Sequence, residues 1–214
     1  MQTKEIKLIT KKDLFRIITA HYKTGLVKSV ILLEDSLTKT PRQDRYILEK
    51  IVKSIKPKII LEIGTYLGQM TLELAKNSPG SQIYTIDICK EMDLDVPDYQ
   101  KDEVLPKVRV GERFRNKAKN ICQILGDSRK FSTYSFLGGK KIDFAFIDGN
   151  HSLEAVIQDT QNLLKFTQRN SIIFWHDFLG PGKNEVKEAL SYLVAKKQLE
   201  IFQIDKTHLA YSIL

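Results

Sequence analysis

Four polar residues in the second half of the chain stand where their types can do chemistry. Asp148 and His151 follow the apolar run at residues 141–147, and His176 with Asp177 follows the run at 171–175. An imidazole titrating near ~6.5 can take up a proton near neutral pH. Carboxylates beside imidazoles also offer hard oxygen and nitrogen donors to a divalent cation such as Mg²⁺, Mn²⁺ or Fe²⁺. A lone histidine is usually structural, and His21 and His208 are assigned nothing on that ground. His151 and His176 differ because each accompanies an acid behind a strand-like run, while Trp175 and Phe178 read as packing.

A second set lies earlier, in residues 58–75 (KIILEIGTYLGQMTLELA). Glu62 precedes a GxxxG turn formed by Gly64, Thr65, Tyr66 and Gly68. A dinucleotide turn reads GxGxxG and serves a pyrophosphate, for which a nearby carboxylate is a poor neighbour. The sequence here suits a cationic or zwitterionic ligand with hydroxyls. Asp87 stands at the end of the strand read in QIYTIDI (residues 82–88), 25 residues after Glu62; a carboxylate ~20 residues on is the usual partner of ribose hydroxyls. Asp127 and Ser128 follow residues 121–125, where an acid can accept from an adenine amino group, although Ser128 reads equally well as a helix cap.

The elements that must position these groups alternate. Strands are expected at 58–63, 82–88, 121–125, 141–147 and 171–175, with helices after Gly68, from Ser152 and around residues 186–194. Residues 199–204 and 208–214 read as a closing hairpin about Asp205-Lys206-Thr207. Residues 1–57 read as helices without a sheet signal; Thr40, Pro41 and Gln43 mark the start of the last of them, and Ile47, Leu48, Ile51, Val52 and Ile55 share one face. The chain therefore divides into an N-terminal helical extension, 1–57, and an α/β domain, 58–214. The fold class is a Rossmann-like, seven-stranded, mostly parallel sheet with helices on both faces and a C-terminal antiparallel hairpin. Residues 91–119, with Pro97, Pro106 and the basic stretch 107–119, read as an insertion over the sheet edge that carries acceptor specificity.

Composition excludes little. A chain of 214 residues with 42% hydrophobic and 28% charged residues is an ordinary globular protein with a full core. No membrane span or signal peptide is visible, so the expectation is cytoplasmic. Cys89 and Cys122 lack metal spacing. The formal charge of +8 keeps nucleic acid open as a minority partner, and the apolar patches of residues 1–39 allow a homodimer.

Strand–helix alternation with ExGxxxG after the first strand of the domain and Asp after the second resembles a class I S-adenosylmethionine-dependent methyltransferase, over residues 40–214. TPRQDRYILEKIVKSIKPKIILEIGTYLG is similar to the O-methyltransferases of the catechol and caffeoyl-CoA type, and FIDGNHSLEAVIQD with IIFWHDF resembles the methyltransferase 24 domain family. The resemblance implies that Glu62, Gly64, Thr65, Tyr66 and Gly68 line the methionine and ribose part of the cofactor, that Asp87 binds the ribose, and that Asp127 and Ser128 bind the adenine, with Asp148 bordering the cofactor. It implies a divalent cation at Asp148, His176 and Asp177, although those relatives carry Asp-Asn or Glu-Asp where this chain has His176-Asp177. His151 occupies the place of their catalytic base. The expected activity is O-methylation of a small hydroxylated molecule, a sugar or natural-product intermediate. Two other readings are an RNA ribose methyltransferase and a non-catalytic binding protein on the same fold. Base-amine methylation is disfavoured, because Asp148-Gly149-Asn150-His151 replaces the Asn/Asp-Pro-Pro-aromatic segment.

Overall fold

The computed structural model describes residues 5–23, 41–88, 109–130, 135–179 and 184–214. The elements in chain order are β1 (Lys7–Ile9), α1 (Lys11–Tyr22), α2 (Pro41–Ile55), β2 (Ile59–Ile63), α3 (Gln69–Asn77), β3 (Gln82–Asp87), β4 (Ile121–Leu125), β5 (Ile142–Ile147), α4 (Leu153–Leu164), β6 (Thr167–Trp175), α5 (Glu185–Ala195), β7 (Phe202–Ile204) and β8 (Ala210–Ile213). The strands form one sheet in the order β1-β7-β8-β6-β5-β2-β3-β4. β8 runs antiparallel to both β6 and β7, and the other pairings are parallel.

The strands follow from β-branched and aromatic runs whose alternate residues enter two cores. Ile60, Ile83, Phe144, Phe146, Ile172 and Phe174 pack on one face with α1, α2 and α3. The residues between them turn the other way: Leu61, Ile63, Tyr84, Ala145, Ile147, Ile173 and Trp175 pack on the opposite face with α4 and α5. Period-two alternation with both faces apolar is what a sheet covered by helices on each side requires.

Among the described residues the sheet has eight strands where seven were expected. The added one is Lys7–Ile9, which pairs in parallel with β7 at the sheet edge. Residues 1–57 thus do not read correctly as helices alone. Three residues, two of them exposed, carry too few apolar positions to show a period of two. Thr10 then caps α1 through a capping box with Asp13. Leu14, Phe15 and Ile18 of α1 and Ile47, Leu48, Ile51 and Val52 of α2 lie in the same core as Ile60 and Phe144. β6 begins four residues earlier than expected, and the hairpin strands are shorter. The proposed cap at Thr40, the apolar patch within 24–39, Cys89, the insertion up to residue 108 and Gly180-Pro181-Gly182 lie outside the described residues. Among the described residues no helix is long and apolar enough to cross a membrane.

Candidate active site

The five parallel strands β4, β3, β2, β5 and β6 end at one edge of the sheet, where ligands of open α/β sheets bind. Helix α2 descends and β2 rises, so the start of α2 comes to this same edge. A cleft of about 300 Å³ opens there, bordered by Asp44, Gly64, Tyr66, Phe146, Asp148 and His176 among others.

The first wall is the turn after β2. Gly64 has φ +98°, and a Cβ placed on it would lie 2.0 Å from the carbonyl oxygen of Asp148. Only glycine allows the turn to rest on the end of β5 in this way. Gly68, at φ +79°, would similarly strike the Phe114 ring. Tyr66 adopts φ 45° and is exposed. The turn is fixed from outside by Gly111, whose N–H donates to Tyr66 O at 2.8 Å, and by Arg113, whose N–H donates to Leu67 O at 2.9 Å.

Glu62 does not face open solvent. It lies on the α2–α3 side of the sheet, fully buried, where its Oε2 accepts from Thr85 Oγ1 at 2.5 Å and from Thr71 Oγ1. Its Oε1 has no hydrogen-bond partner among the described residues. Burial pushes its carboxyl up to about 8, against the two threonine hydrogen bonds. Thr65 Oγ1 is linked to Thr85 Oγ1 at 2.6 Å. Asp87 ends β3 and accepts from the N–H of Tyr66 at 2.6 Å and of Ile88 at 2.8 Å, which ties it to the glycine turn. Burial raises its carboxyl.

Asp127 and Ser128 stand farther along the edge, after β4. Both oxygens of Asp127 are engaged by the Arg129 guanidinium, at 2.9 and 2.8 Å, and Ser128 donates to Asp159 at 2.7 Å. Burial works against the Asp127 charge, but Arg129 outweighs it and the carboxyl is lowered. The structure thus ties Glu62, the glycines and Asp87 into one unit and leaves Asp127 and Ser128 in a separate network.

The second wall is the strand-end cluster. Asp148 follows β5, with its N–H donating to Ile63 O at 2.8 Å. Ser152 caps α4, its Oγ accepting from Ala155 N, and the short link between strand and helix carries His151. His151 Nε2 lies 3.1 Å from Asp177 Oδ2 and 3.7 Å from Asp148 Oδ1, with the side chain half exposed. His176 Nδ1 lies 3.4 Å from Asp148 Oδ1 and 3.2 Å from Asp177 Oδ2. Asp177 holds this position at φ 54°, a left-handed conformation uncommon outside glycine and found where structure overdetermines a functional residue.

Each charge in the cluster shapes the others. Asp148 raises His151 above the ordinary imidazole range, with burial opposing. Burial likewise opposes charge on His176, yet Asp148, Asp177 and Asp44 outweigh it and hold the imidazole well above its ordinary value. His176 in turn lowers Asp177. Burial acts to raise Asp148, and the two imidazoles more than offset it.

Asp148, His151 and Asp177 present ligand atoms within 4.8 Å of one another. The two carboxylates and an imidazole fit a hard or borderline divalent cation. His176 Nδ1, buried without a hydrogen-bond partner, borders the same two carboxylates. The expected ligands Asp148, His176 and Asp177 are therefore brought together, and His151, expected only as the base, shares their carboxylates.

Two residues of this site were given no role from the sequence. Asp44, in the first turn of α2, is 2% exposed and faces His176 Nε2 at 3.4 Å. An acid three and four residues before the buried Ile47 and Leu48 falls on the apolar stripe of α2, and that misplaced charge was the available signal. His208 stacks on His176 with ring centroids 5.9 Å apart and lies 4.0 Å from Asp177. It arrives there because β8 is antiparallel to β6, pairing Ala210 with Trp175, so the start of β8 adjoins the end of β6.

Known proteins resemble this chain in sequence and in fold. A family described as a methyltransferase domain, methyltransferase 24, matches residues 61–178, more than half of the chain. A probable O-methyltransferase of Mycobacterium tuberculosis is 24% identical over 177 residues, covering 78% of this chain and 69% of that protein. Among solved structures, the O-methyltransferase of Bacillus cereus in complex with SAH aligns with a TM-score of 0.55 at 14% identity, over 94% of this chain and 97% of that one. A TDP-rhamnose 3′-O-methyltransferase of calicheamicin biosynthesis aligns with a TM-score of 0.56 at 15% identity, over 95% and 92%. At these identities the structural likeness establishes a shared fold.

Proposed function

We propose a reaction for a chain that belongs to the methyltransferase 24 domain family: it carries the methyl group of S-adenosylmethionine to a hydroxyl oxygen of a small molecule, a sugar or a natural-product intermediate. The observation that carries this reading is the abutment of the two walls. The glycine turn packs directly on the backbone of Asp148, so a donor lying against Gly64 places its reactive end beside Asp148, whose Oδ1 lies 3.7 Å from His151 Nε2.

Methyl transfer from a sulfonium is an in-line displacement, which needs the acceptor oxygen aligned behind the methyl carbon. A neutral hydroxyl is a poor nucleophile until its proton is removed. His151 is the base in this reading. Its half-exposed ring can reach a ligand in the cleft, and Asp177 and Asp148 stabilise the imidazolium formed once it takes the proton. The glycine turn with Asp87 holds the donor's amino-acid and ribose portions, and Asp127 with Ser128 takes the adenine after exchanging their present partners. Asp148, His176 and Asp177 would hold a divalent cation, which when bound lowers the pKa of the acceptor hydroxyl and orients it. A histidine must be neutral to coordinate, so cation and proton compete for His176.

Calorimetry with S-adenosylmethionine tests the donor: binding is expected, and none at millimolar cofactor ends this reading. Transfer of labelled methyl to a panel of sugars and phenols, with and without chelator, tests the rest. Chelation is expected to abolish turnover; full turnover in chelator leaves His151 as a base acting without a metal.

A further inference from the structure

Asp44 has no part in the reaction as described, yet it is buried against the site. Its Oδ2 accepts from the N–H of His208 at 3.2 Å and lies 3.4 Å from His176 Nε2. Its Oδ1 is buried without a hydrogen-bond partner among the described residues. A carboxylate taken out of water is costly unless a cationic or donating group faces it, and the His176 ring is the group in place to do so. The first turn of α2 also favours an acid through the helix dipole.

The His176 ring is held by two aromatic neighbours. Phe146 meets it edge-on at 6.1 Å and His208 stacks at 5.9 Å, so the plane of the ring is set by packing. Packing alone leaves open whether Nδ1 or Cδ2 faces the Asp148–Asp177 pair, because a half-turn about Cβ–Cγ exchanges the two and puts Cε1 in the place of Nε2. An acceptor at Nε2 closes that choice. It fixes a proton on Nε2 and leaves Nδ1 facing Asp148 and Asp177.

We propose that Asp44 is a positioning residue of the methyl-transfer site: by accepting the Nε2–H of His176 it orients the imidazole so that Nδ1 points at Asp148 and Asp177. This rests on the reading of that cluster as the active site. It makes α2 a component of the site, with its first turn supplying the outer carboxylate.

The test has a spectroscopic arm and a kinetic arm. In ¹⁵N-labelled wild-type protein, His176 is expected to show an exchange-protected Nε2 proton at low field. Asp44→Asn, which keeps the size of the side chain but leaves only a neutral oxygen for the His208 N–H and the His176 Nε2–H, is expected to move that signal upfield and speed its exchange while the His151 resonances persist. Turnover is expected to fall about 10–100-fold, as for other carboxylates behind a site histidine, with S-adenosylmethionine affinity unchanged. In a His176→Asn background, Asp44→Asn should cost no further turnover, because its effect passes through His176. Absence of a protected Nε2 proton in the wild type overturns the proposal, as do additive losses in the double variant. The wild-type spectrum decides even where Asp44→Asn fails to fold. It also decides where S-adenosylmethionine fails to bind, so failure of this proposal is distinct from failure of the methyl-transfer reading.

Discussion

The turn at residues 62–68 and the group Asp148, His151, His176 and Asp177 meet at one cleft, which Gly64, Tyr66, Asp148 and His176 border, yet they are made in different ways. The turn is contiguous, and its shape is a property of backbone: two glycines at positive φ, a buried Glu62 pinned by two threonines, and main-chain bonds to Gly111 and Arg113. The cluster is a property of side chains delivered by the ends of β5 and β6, the entry to α4, the start of α2 and the turn before β8. A contiguous backbone device tolerates almost no added volume. A side-chain cluster tolerates substitution sterically and fails chemically. Binding and chemistry should therefore be separable by mutation.

The largest effect is expected from Gly64→Ala. The new methyl would lie 2.0 Å from Asp148 O at a φ of +98°, so backbone has to move. Overpacking of this kind costs about 1–3 kcal/mol. Thermal unfolding should show that loss, and calorimetry should show S-adenosylmethionine binding abolished. Gly80→Ala is the control: a Cβ there meets nothing within 4 Å, and both readouts should stay at wild-type values. Retained binding in Gly64→Ala would mean that the turn does not hold the donor.

His151→Gln should do the reverse, lowering turnover by about 10²–10⁴-fold, the usual worth of a general base, while leaving donor affinity and melting temperature in place. The pH profile sharpens the point. Asp148 raises the His151 pKa, so the ring is protonated and unable to act as base until the pH exceeds that raised value. The acid limb of the wild-type rate should therefore lie above the ordinary histidine range and move to lower pH in Asp177→Asn, which removes a second charge from the ring. An acid limb unmoved by that substitution would take His151 out of the role.

The smallest effect concerns stability alone. The Glu62 carboxyl is raised from 4.5 to about 8, so the folded protein binds this proton more tightly than the unfolded chain does. The stabilising contribution is full below about pH 4.5 and is lost as pH rises through about 8, since ionisation favours the unfolded state. Glu62→Gln should cancel this dependence. Melting curves at about pH 5 and about pH 9 should differ less in the variant than in the wild type, apart from contributions of other groups.

The parallel core, the strand ends and the acids on them were legible in sequence because each is local. Residues 59–63 and 121–125 form strands within the expected bounds, and Ser152 caps α4 as its type and place suggested. Glu62 was legible as an acid beside the turn. Its direction was not, since whether it faces ligand or core depends on Thr71 and Thr85, nine and 23 residues away. The strand at Lys7–Ile9 was missed because it is formed by pairing with β7, almost two hundred residues later, and has no apolar period of its own.

Sequence by itself determined which residue types stand at the strand ends: Gly64 and Gly68 for a close turn, Asp87, Asp148 and Asp177 for acid, His151 for an imidazole. These depend on runs of a few residues, where local patterns are decisive. Tertiary structure decided the company they keep. It placed Asp44 beneath His176 and His208 over it, and it gave Asp127 to Arg129. Such contacts join segments whose separation along the chain carries no mark of their meeting; they exist because α2 starts, β6 ends and β8 begins at one edge of one sheet.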